Sequence, residues 1–131
     1  MNTEEHLKAF EERKEAIFKW ALEVRGIEKA QRSIGDNSSK AIVELLSAYL
    51  HKKKIVEDGF QLNHAWFKSK RVYERLPDFP NKQAIVEKMI KLELLCEKLS
   101  YGAQKPKEKS QEAVSLFQEM EVEIKKLLND I

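Results

Sequence analysis

The chain contains few of the residues that build turns and cross-links. Among its 131 residues there are four glycines, three prolines and a single cysteine, Cys96. One cysteine excludes an intramolecular disulfide and a metal site of the C-x-x-C type. Glycine and proline are the residues that most often interrupt helices. Their scarcity, in a chain rich in Lys, Glu and Leu, predicts a mostly helical protein.

Long apolar runs and a large excess of one charge are also missing. No stretch approaches the roughly 18 consecutive apolar residues of a membrane span. The N-terminal stretch MNTEEHLKAFEERKEAIF is acidic and amphipathic, unlike a signal peptide. With 24 basic and 22 acidic side chains the net charge is only +2, so nucleic-acid binding would need a local basic patch. We expect a soluble, cytoplasmic protein with no membrane contact.

The first apolar stripe at helical spacing predicts one long helix near the N-terminus. Thr3 is a suitable N-cap for it, followed by two glutamates at the positive end of the helix. Gly26 falls inside the stripe, and we expect it to allow close approach of a neighbouring helix. The stripe consists of Leu7, Phe10, Ile17, Trp20, Ala21, Val24, Ile27 and Ile34.

The stretch GDNSSK, residues 35–40, predicts the break between the first and second helices. Gly35 suits a helix C-terminus, and Asp36 or Asn37 can cap the helix that follows. That second helix carries apolar residues from Ala41 to Leu50 and ends in the run HKKK. Cations at a helix C-terminus are favourable, so this basic run has a structural explanation.

Three further segments complete the predicted fold. FQLNHAWFKSKRVYERL predicts a third helix that PDFPN ends, and the fourth and fifth helices show apolar residues four and three apart. This spacing is typical of core, although a coiled-coil seam with a second copy has the same pattern. The sequence therefore predicts an all-α, up-and-down antiparallel bundle of four to five helices, forming one domain over residues 1–131. The last two stripes are Ile85, Met89, Leu92, Cys96 and Leu99, then Ala113, Phe117, Met120, Ile124, Leu127 and Ile131.

The order of these segments resembles a HEPN domain, the helical module named for higher eukaryotes and prokaryotes nucleotide binding. The resemblance covers roughly residues 16–130 and rests on five stretches: WALEVRGIEKAQRSI, NSSKAIVELLSAYLHKK, LNHAWFKSK, CEKLSYG and SQEAVSLFQEMEVEI. It implies a homodimer, a possible partner in a minimal nucleotidyltransferase of a toxin–antitoxin pair, and nucleotide or RNA as ligand.

The chain departs from the HEPN ribonucleases at the motif that carries their activity. Those enzymes have an Arg followed four to six residues later by a His at the end of the fourth helix. Counting back from Tyr101, the Arg position falls on Cys96, Leu95 or Leu94, and no His follows His64. The tyrosine pair that many members carry in the second helix is Ile42-Val43 here. The resemblance therefore implies a non-catalytic module.

Two basic stretches with interleaved aromatic residues form the candidate binding site. Cations and aromatic side chains together are typical of proteins that hold RNA or single strands. The simpler alternative is a solvated face beside the core. Removal of Lys52, Lys53 and Arg71 together should abolish binding if the patch is real. The candidate nucleotide- or RNA-binding residues are Lys52, Lys53, Lys54, His64, Trp66, Lys68, Lys70, Arg71 and Arg75.

No motif indicates a cofactor, a metal ion or a nucleophilic triad. Cys96 is in register with the apolar stripe, which predicts a buried small side chain rather than a reactive thiol. Tyr101 is the one candidate catalytic residue, and it belongs to the alternative hypothesis of a divergent, metal-independent ribonuclease that uses Lys98 or a basic residue of the third helix. A plain scaffold without ligand is the third hypothesis.

Overall fold

The computed structural model describes residues 1–129, and this part of the chain is helical without a strand. Helix α1 spans Thr3–Glu15 and continues as a π-helix over Ala16–Glu23; it is followed by α2 (Gln31–Lys52), a 3₁₀ helix (His64–Lys68), α3 (Val72–Arg75), α4 (Lys82–Ser100) and α5 (Lys107–Asn129). The all-α prediction is confirmed. Ile131, the last residue of the fifth predicted stripe, lies outside the described residues.

Contacts between the helices show that consecutive long helices run in opposite directions. Early residues of one helix contact late residues of the next along the chain, which defines an up-and-down antiparallel bundle. No helix within residues 1–129 combines the length and the apolar character needed to cross a membrane. The contacts are His6 with Glu44 and Arg13 with Asn37, Gln31 with Leu99 and Tyr49 with Phe79, and Lys91 with Glu112 and Lys88 with Glu123.

Helix α2 lies at the centre of the bundle and contacts α1, α4 and α5. The stripes of α4 and α5 turn inward against it. Their predicted core residues are buried from Ile85 to Leu99 and from Ala113 to Ile124, with Leu127 half-buried. The apolar residues of both stripes therefore pack inside the bundle, as the core interpretation predicted. They are not available for contact with a second copy.

The first predicted helix begins one residue earlier than expected, and its continuation ends at Glu23, not near Ile34. Asn2, not Thr3, is the N-cap: its Oδ1 accepts a hydrogen bond from the backbone of Glu5 at 2.9 Å. The stripe also does not stay on the buried face, because the π-helix changes the rotation per residue. Trp20 is 57% exposed and Val24 is 67% exposed.

Gly26 and Gly35 have other roles in the structure than the sequence predicts. Gly26 has φ +85°, and a Cβ added to it would have no atom within 4 Å, so it marks a turn rather than a close helix contact. Helix α2 instead runs straight through GDNSSK. A Cβ on Gly35 would lie 2.7 Å from Oγ of Ser100 and 2.9 Å from the carbonyl oxygen of Cys96. Close packing of α2 on α4 therefore overrides the local turn preference of this stretch.

The third region is not the continuous helix that its sequence predicted. Asn63 caps a short 3₁₀ helix by accepting a hydrogen bond from the backbone of Ala65 at 2.8 Å, and extended backbone at Ser69 separates it from α3. Buried apolar side chains anchor the segment along its length, so packing on the bundle sets its path. They are Phe67, Val72, Leu76 and Phe79.

Candidate functional site

A groove of about 530 Å³ lies between α1, α2 and the segment that enters the 3₁₀ helix. We call it the basic groove because basic side chains of three separate segments meet in it: Arg13, Lys40 and His64. Each helix contributes the residues that its packing leaves facing the gap. The groove is lined by Arg13, Lys40, Val43, Glu44, Gln61, Leu62, Asn63, His64 and Trp66.

The charged side chains of the basic groove differ in the contacts that they make with the rest of the protein. The Arg13 guanidinium donates a hydrogen bond to Oδ1 of Asn37 at 3.1 Å and keeps its charge. Lys40 forms no ion pair with any residue in the described part of the chain. The one carboxylate in the lining, Glu44, lies 2.6 Å from Nδ1 of His6. Within residues 1–129, Arg13 and Lys40 therefore line the groove without an ion pair, which is favourable for binding an anion.

Trp66 gives the basic groove an aromatic wall. The Arg75 guanidinium lies 5.0 Å from the centre of its ring, and Phe60 meets the ring edge-on at 6.1 Å between centres. Both contacts hold the indole in place and place a cation against its π face. An aromatic ring fixed beside cations is an arrangement that can stack a nucleobase.

A second, smaller cavity of about 80 Å³ opens between α2 and α4, and we call it the polar cleft. His64 and Lys40 line both the groove and the cleft, so the two cavities are neighbours. Tyr101, which is 73% exposed, stands beside the cleft at the end of α4. The cleft is lined by Gly35, Asp36, Ser39, Lys40, His64, Lys68, Glu93, Cys96, Glu97, Ser100 and Tyr101.

A histidine–carboxylate pair connects the polar cleft with the basic groove. Nδ1 of His64 lies 3.0 Å from Oε1 of Glu93, and the two side chains are 35% and 4% exposed. A buried carboxylate needs a partner, and the ring of His64 supplies it from the solvent side. Lys68, a few residues further along, lies 3.9 Å from Glu97 on the next turn of α4.

Cys96 lies at the base of the cleft and is buried, as its register predicted. Burial raises the pKa of its thiol from 9.0 to about 11, and hydrogen bonds with Ser39 offset only part of this effect. A thiolate is the reactive form of cysteine, so this side chain is a packing residue and not a nucleophile.

The lysines of HKKK lie at the C-terminus of α2, where they end the helix. Lys54 has φ +55°, and the amides of Lys54 and Ile55 donate to the carbonyl oxygens of His51 and Leu50 at 3.1 and 2.9 Å. This is the Schellman arrangement that satisfies terminal carbonyls. Lys53 follows Lys40 by thirteen residues, or about 20 Å of helix. The run therefore lies well away from the part of α2 that lines the groove and cleft together.

The remaining predicted residues are divided between different surfaces. Lys70 lines a third hollow of about 640 Å³ with Tyr73 and Lys82, while Arg71 is exposed at the start of α3. Burial, with the charge of Glu87, raises the pKa of the Tyr73 phenol. The Lys82 ammonium donates to the carbonyl oxygens of Tyr73 and Leu76 at 3.1 and 2.9 Å, so it secures the end of α3. Of the nine predicted residues, His64 and Trp66 line the basic groove and Arg75 supports it.

Three residues of the site were not predicted from the sequence. Glu93 had a detectable signal, because it follows Met89 by four and precedes Cys96 by three, which places a charge on the buried face of α4. Arg13 and Lys40 had none, since each is a cation on an amphipathic helix among many others. Only the packing of α1 against α2 brings them together.

Comparisons with protein-family models, with curated proteins and with solved structures gave no match to this chain. Within residues 1–129, no group of three or more His, Cys, Asp or Glu side chains is placed to hold a metal ion.

Proposed function

We propose that the chain is a helical binding module that holds a phosphodiester strand, an RNA or a related nucleotide ligand, in the basic groove. The observation that carries the proposal is the meeting of Arg13, Lys40 and His64 beside Trp66 in one groove. Phosphate oxygens are acceptors that cations bind, and a base attached to them can stack on an indole. The groove offers both kinds of contact within one cavity.

The local nature of the charge supports this proposal. A net charge of +2 gives no general attraction for nucleic acid, so affinity has to come from cations gathered in one place. Lys40 is such a cation, because it lines the groove and forms no ion pair with a carboxylate among residues 1–129. Glu44, the carboxylate in the lining, already has Oε2 in a hydrogen bond with the ring of His6 at 2.6 Å.

Fluorescence anisotropy with a labelled single-stranded RNA of about ten nucleotides tests the proposal. Wild-type protein should bind, and its affinity should fall as salt rises, since phosphate contacts release counterions. Trp66→Ala should bind about tenfold more weakly, because stacking contributes about 1–3 kcal/mol per base. The matched control is Trp20→Ala, the other tryptophan, which lies outside the groove. No binding at low salt, or equal loss in both variants, would reject the proposal.

The HEPN-like assignment, the homodimer and a nucleotidyltransferase partner belong to the same proposal. What supports the assignment is the order of four long helices with an irregular segment carrying His64 and Trp66 between α2 and α4. Since the stripes of α4 and α5 are buried inside the bundle, self-association would use an outer face. Light scattering at several concentrations tests it: twice the 15.3 kDa chain mass supports a dimer, and the chain mass throughout opposes one.

A second candidate function, metal-independent RNA cleavage, gains one observation from the polar cleft. Tyr101 shares the cleft with His64 and Lys68, so a histidine absent from the end of α4 is supplied by another segment. His64 could take the proton of a ribose 2′-hydroxyl that attacks the adjacent phosphorus, and the phenol of Tyr101 would protonate the leaving 5′ oxygen, which leaves a 2′,3′-cyclic phosphate. Incubation of pure protein with RNA in the presence of a chelator tests this. The wild type should cleave RNA but not DNA, and Tyr101→Phe should cleave RNA more slowly. Intact RNA with wild-type protein ends the hypothesis.

A further inference from the structure

The ring of His64 is shared between two environments of different polarity. Its Nδ1 faces Glu93 inside the cleft at 3.0 Å, where the carboxylate is almost fully buried. His64 also lines the basic groove. Nε2 forms no hydrogen bond with any residue in the described part of the chain. One nitrogen is therefore engaged, and the other has no partner among residues 1–129.

The hydrogen-bond roles of the two nitrogens follow from the partner of the first. With Glu93 as a carboxylate, which only accepts, Nδ1 carries the hydrogen of this contact. In a neutral ring Nε2 is then an acceptor with a lone pair. A phosphodiester oxygen is also an acceptor only, and two acceptors cannot form a hydrogen bond. A protonated ring has a hydrogen on both nitrogens and can donate to Glu93 and to a phosphate at once.

We infer that a phosphodiester strand in the basic groove binds together with one proton, which His64 holds on Nε2 while Glu93 orients the ring. The inference rests on the proposed function and adds its regulation by pH. Affinity rises as pH falls through the range in which histidines titrate. No covalent bond forms or breaks, and the bound proton comes from solvent.

Charged groups of every neighbouring element face His64, and they act in both directions. Arg13 and Lys40 across the groove, and Lys68 on its own 3₁₀ helix, disfavour a charged ring. The opposing group consists of carboxylates, of which Glu93 lies within hydrogen-bond distance of the ring. These carboxylates are Asp36 and Glu44 on α2 and Glu93 and Glu97 on α4, and the side chains of Cys96 and Tyr101 complete the cleft.

An incoming phosphate changes this balance on the open side of the ring. It adds a negative charge where the cations Arg13 and Lys40 otherwise dominate, and that charge favours the protonated ring. Glu44 is already engaged by His6, and Glu97 lies 3.9 Å from the Lys68 ammonium. Glu93 contacts the ring directly, so it is the positioning residue for the protonated form.

The test measures RNA affinity by anisotropy between about pH 5.5 and about pH 8 at constant ionic strength. The probe is the labelled single-stranded RNA without a terminal phosphate, so that only the protein titrates. The dissociation constant of the wild type should fall by about three- to tenfold from the highest to the lowest pH, as one linked proton allows. His64→Gln, which keeps a donor but cannot titrate, should bind with the same affinity across the range.

Two further variants separate the roles. Glu93→Gln keeps an acceptor for Nδ1 but removes the charge, and it should move the rise in affinity to lower pH. His51→Gln, a histidine outside the groove, should keep the wild-type profile. A flat wild-type profile, or the same slope in wild type and His64→Gln, would overturn the proton link while leaving the proposed function intact. A wild-type midpoint in Glu93→Gln would overturn the positioning role. No binding at any pH would reject the proposed function itself.

Discussion

Two histidine–carboxylate pairs connect elements of the bundle, and they are built in opposite ways. Between α1 and α2 the histidine is the more buried member: His6 is 10% exposed and Glu44 is 23% exposed. Between the 3₁₀ helix and α4 the carboxylate is buried, since Glu93 is 4% exposed and His64 is 35% exposed. The more exposed member is thus the carboxylate in the first pair and the histidine in the second.

The difference separates a structural contact from a candidate functional one. The ring of His6 stacks on His51 with centres 5.3 Å apart. The stack and the contact with Glu44 both hold α1 against α2. The ring of His64 has one nitrogen tied to Glu93 and an open edge in the basic groove. Burying the carboxylate rather than the histidine leaves the titratable ring available to a ligand.

The largest expected effect comes from Gly35→Ala, which disturbs only the α4 side of the comparison. A Cβ there would lie 2.8 Å from the backbone nitrogen of Ser100 and 2.9 Å from the carbonyl oxygen of Cys96. Because these are backbone atoms, the two helices must separate, at a cost of about 3 kcal/mol in unfolding free energy. Urea denaturation measures it. Gly59→Ala, with no atom within 4 Å, should cost almost nothing, and equal stability of the two variants would contradict this packing.

The next effect breaks the contact on the α1 side. His6→Ala removes a buried ring from its stack on His51 and leaves Glu44 without its partner, so we expect a loss of about 2 kcal/mol. His64→Gln, at the more exposed ring, should cost under about 1 kcal/mol. Thermal and urea unfolding of the two variants give the comparison directly. A greater loss in His64→Gln would mean that the structural and functional assignments are reversed.

Cys96 tests how well the base of the polar cleft is sealed from water. Its pKa is raised from 9.0 to about 11, so between these values the native thiol keeps a proton that the unfolded chain has released. Stability is therefore full below pH 9.0 and falls as pH rises toward about 11, by about 1 kcal/mol per pH unit. Cys96→Ala should show a shallower decline in urea unfolding across this range. Identical slopes would show that solvent reaches the thiol.

The smallest effect concerns the HKKK end of α2, on the side of the His6 contact. Lys54 occupies a left-handed conformation with φ +55°, which disfavours any residue with a Cβ. Lys54→Gly should raise the unfolding free energy by about 1 kcal/mol. It should leave RNA affinity unchanged, because Lys54 ends a helix and does not line the groove. A clear loss of affinity would return this lysine to the binding site.

The regular parts of the fold could be predicted, because their signal is periodic burial. The stripes of α4 and α5, including Cys96, follow directly from spacing. The irregular parts could not, since they depend on partners distant in sequence. GDNSSK has the composition of a turn, yet contact of Gly35 with α4 keeps it helical.

The site was predicted only in part for the same reason. His64 and Trp66 were found because a cation-rich stretch with aromatic residues is visible locally. Lys40 joins them only through the packing of α2 beside the 3₁₀ helix, which no local pattern encodes. HKKK is dense in charge and was predicted for that reason, but it lies about 20 Å along α2 from Lys40 and does not line the groove.

The most direct test of the central claim compares two double variants that remove equal charge. Arg13→Gln with Lys40→Gln empties the basic groove of its fixed cations, whereas Lys52→Gln with Lys54→Gln changes the end of α2. RNA affinity is measured at several salt concentrations. The groove variant should bind about tenfold or more weakly than wild type, and its affinity should depend less steeply on salt. The helix-end variant should bind like wild type. Equal losses, or a loss only in the helix-end variant, would contradict the claim that the groove is where the ligand binds.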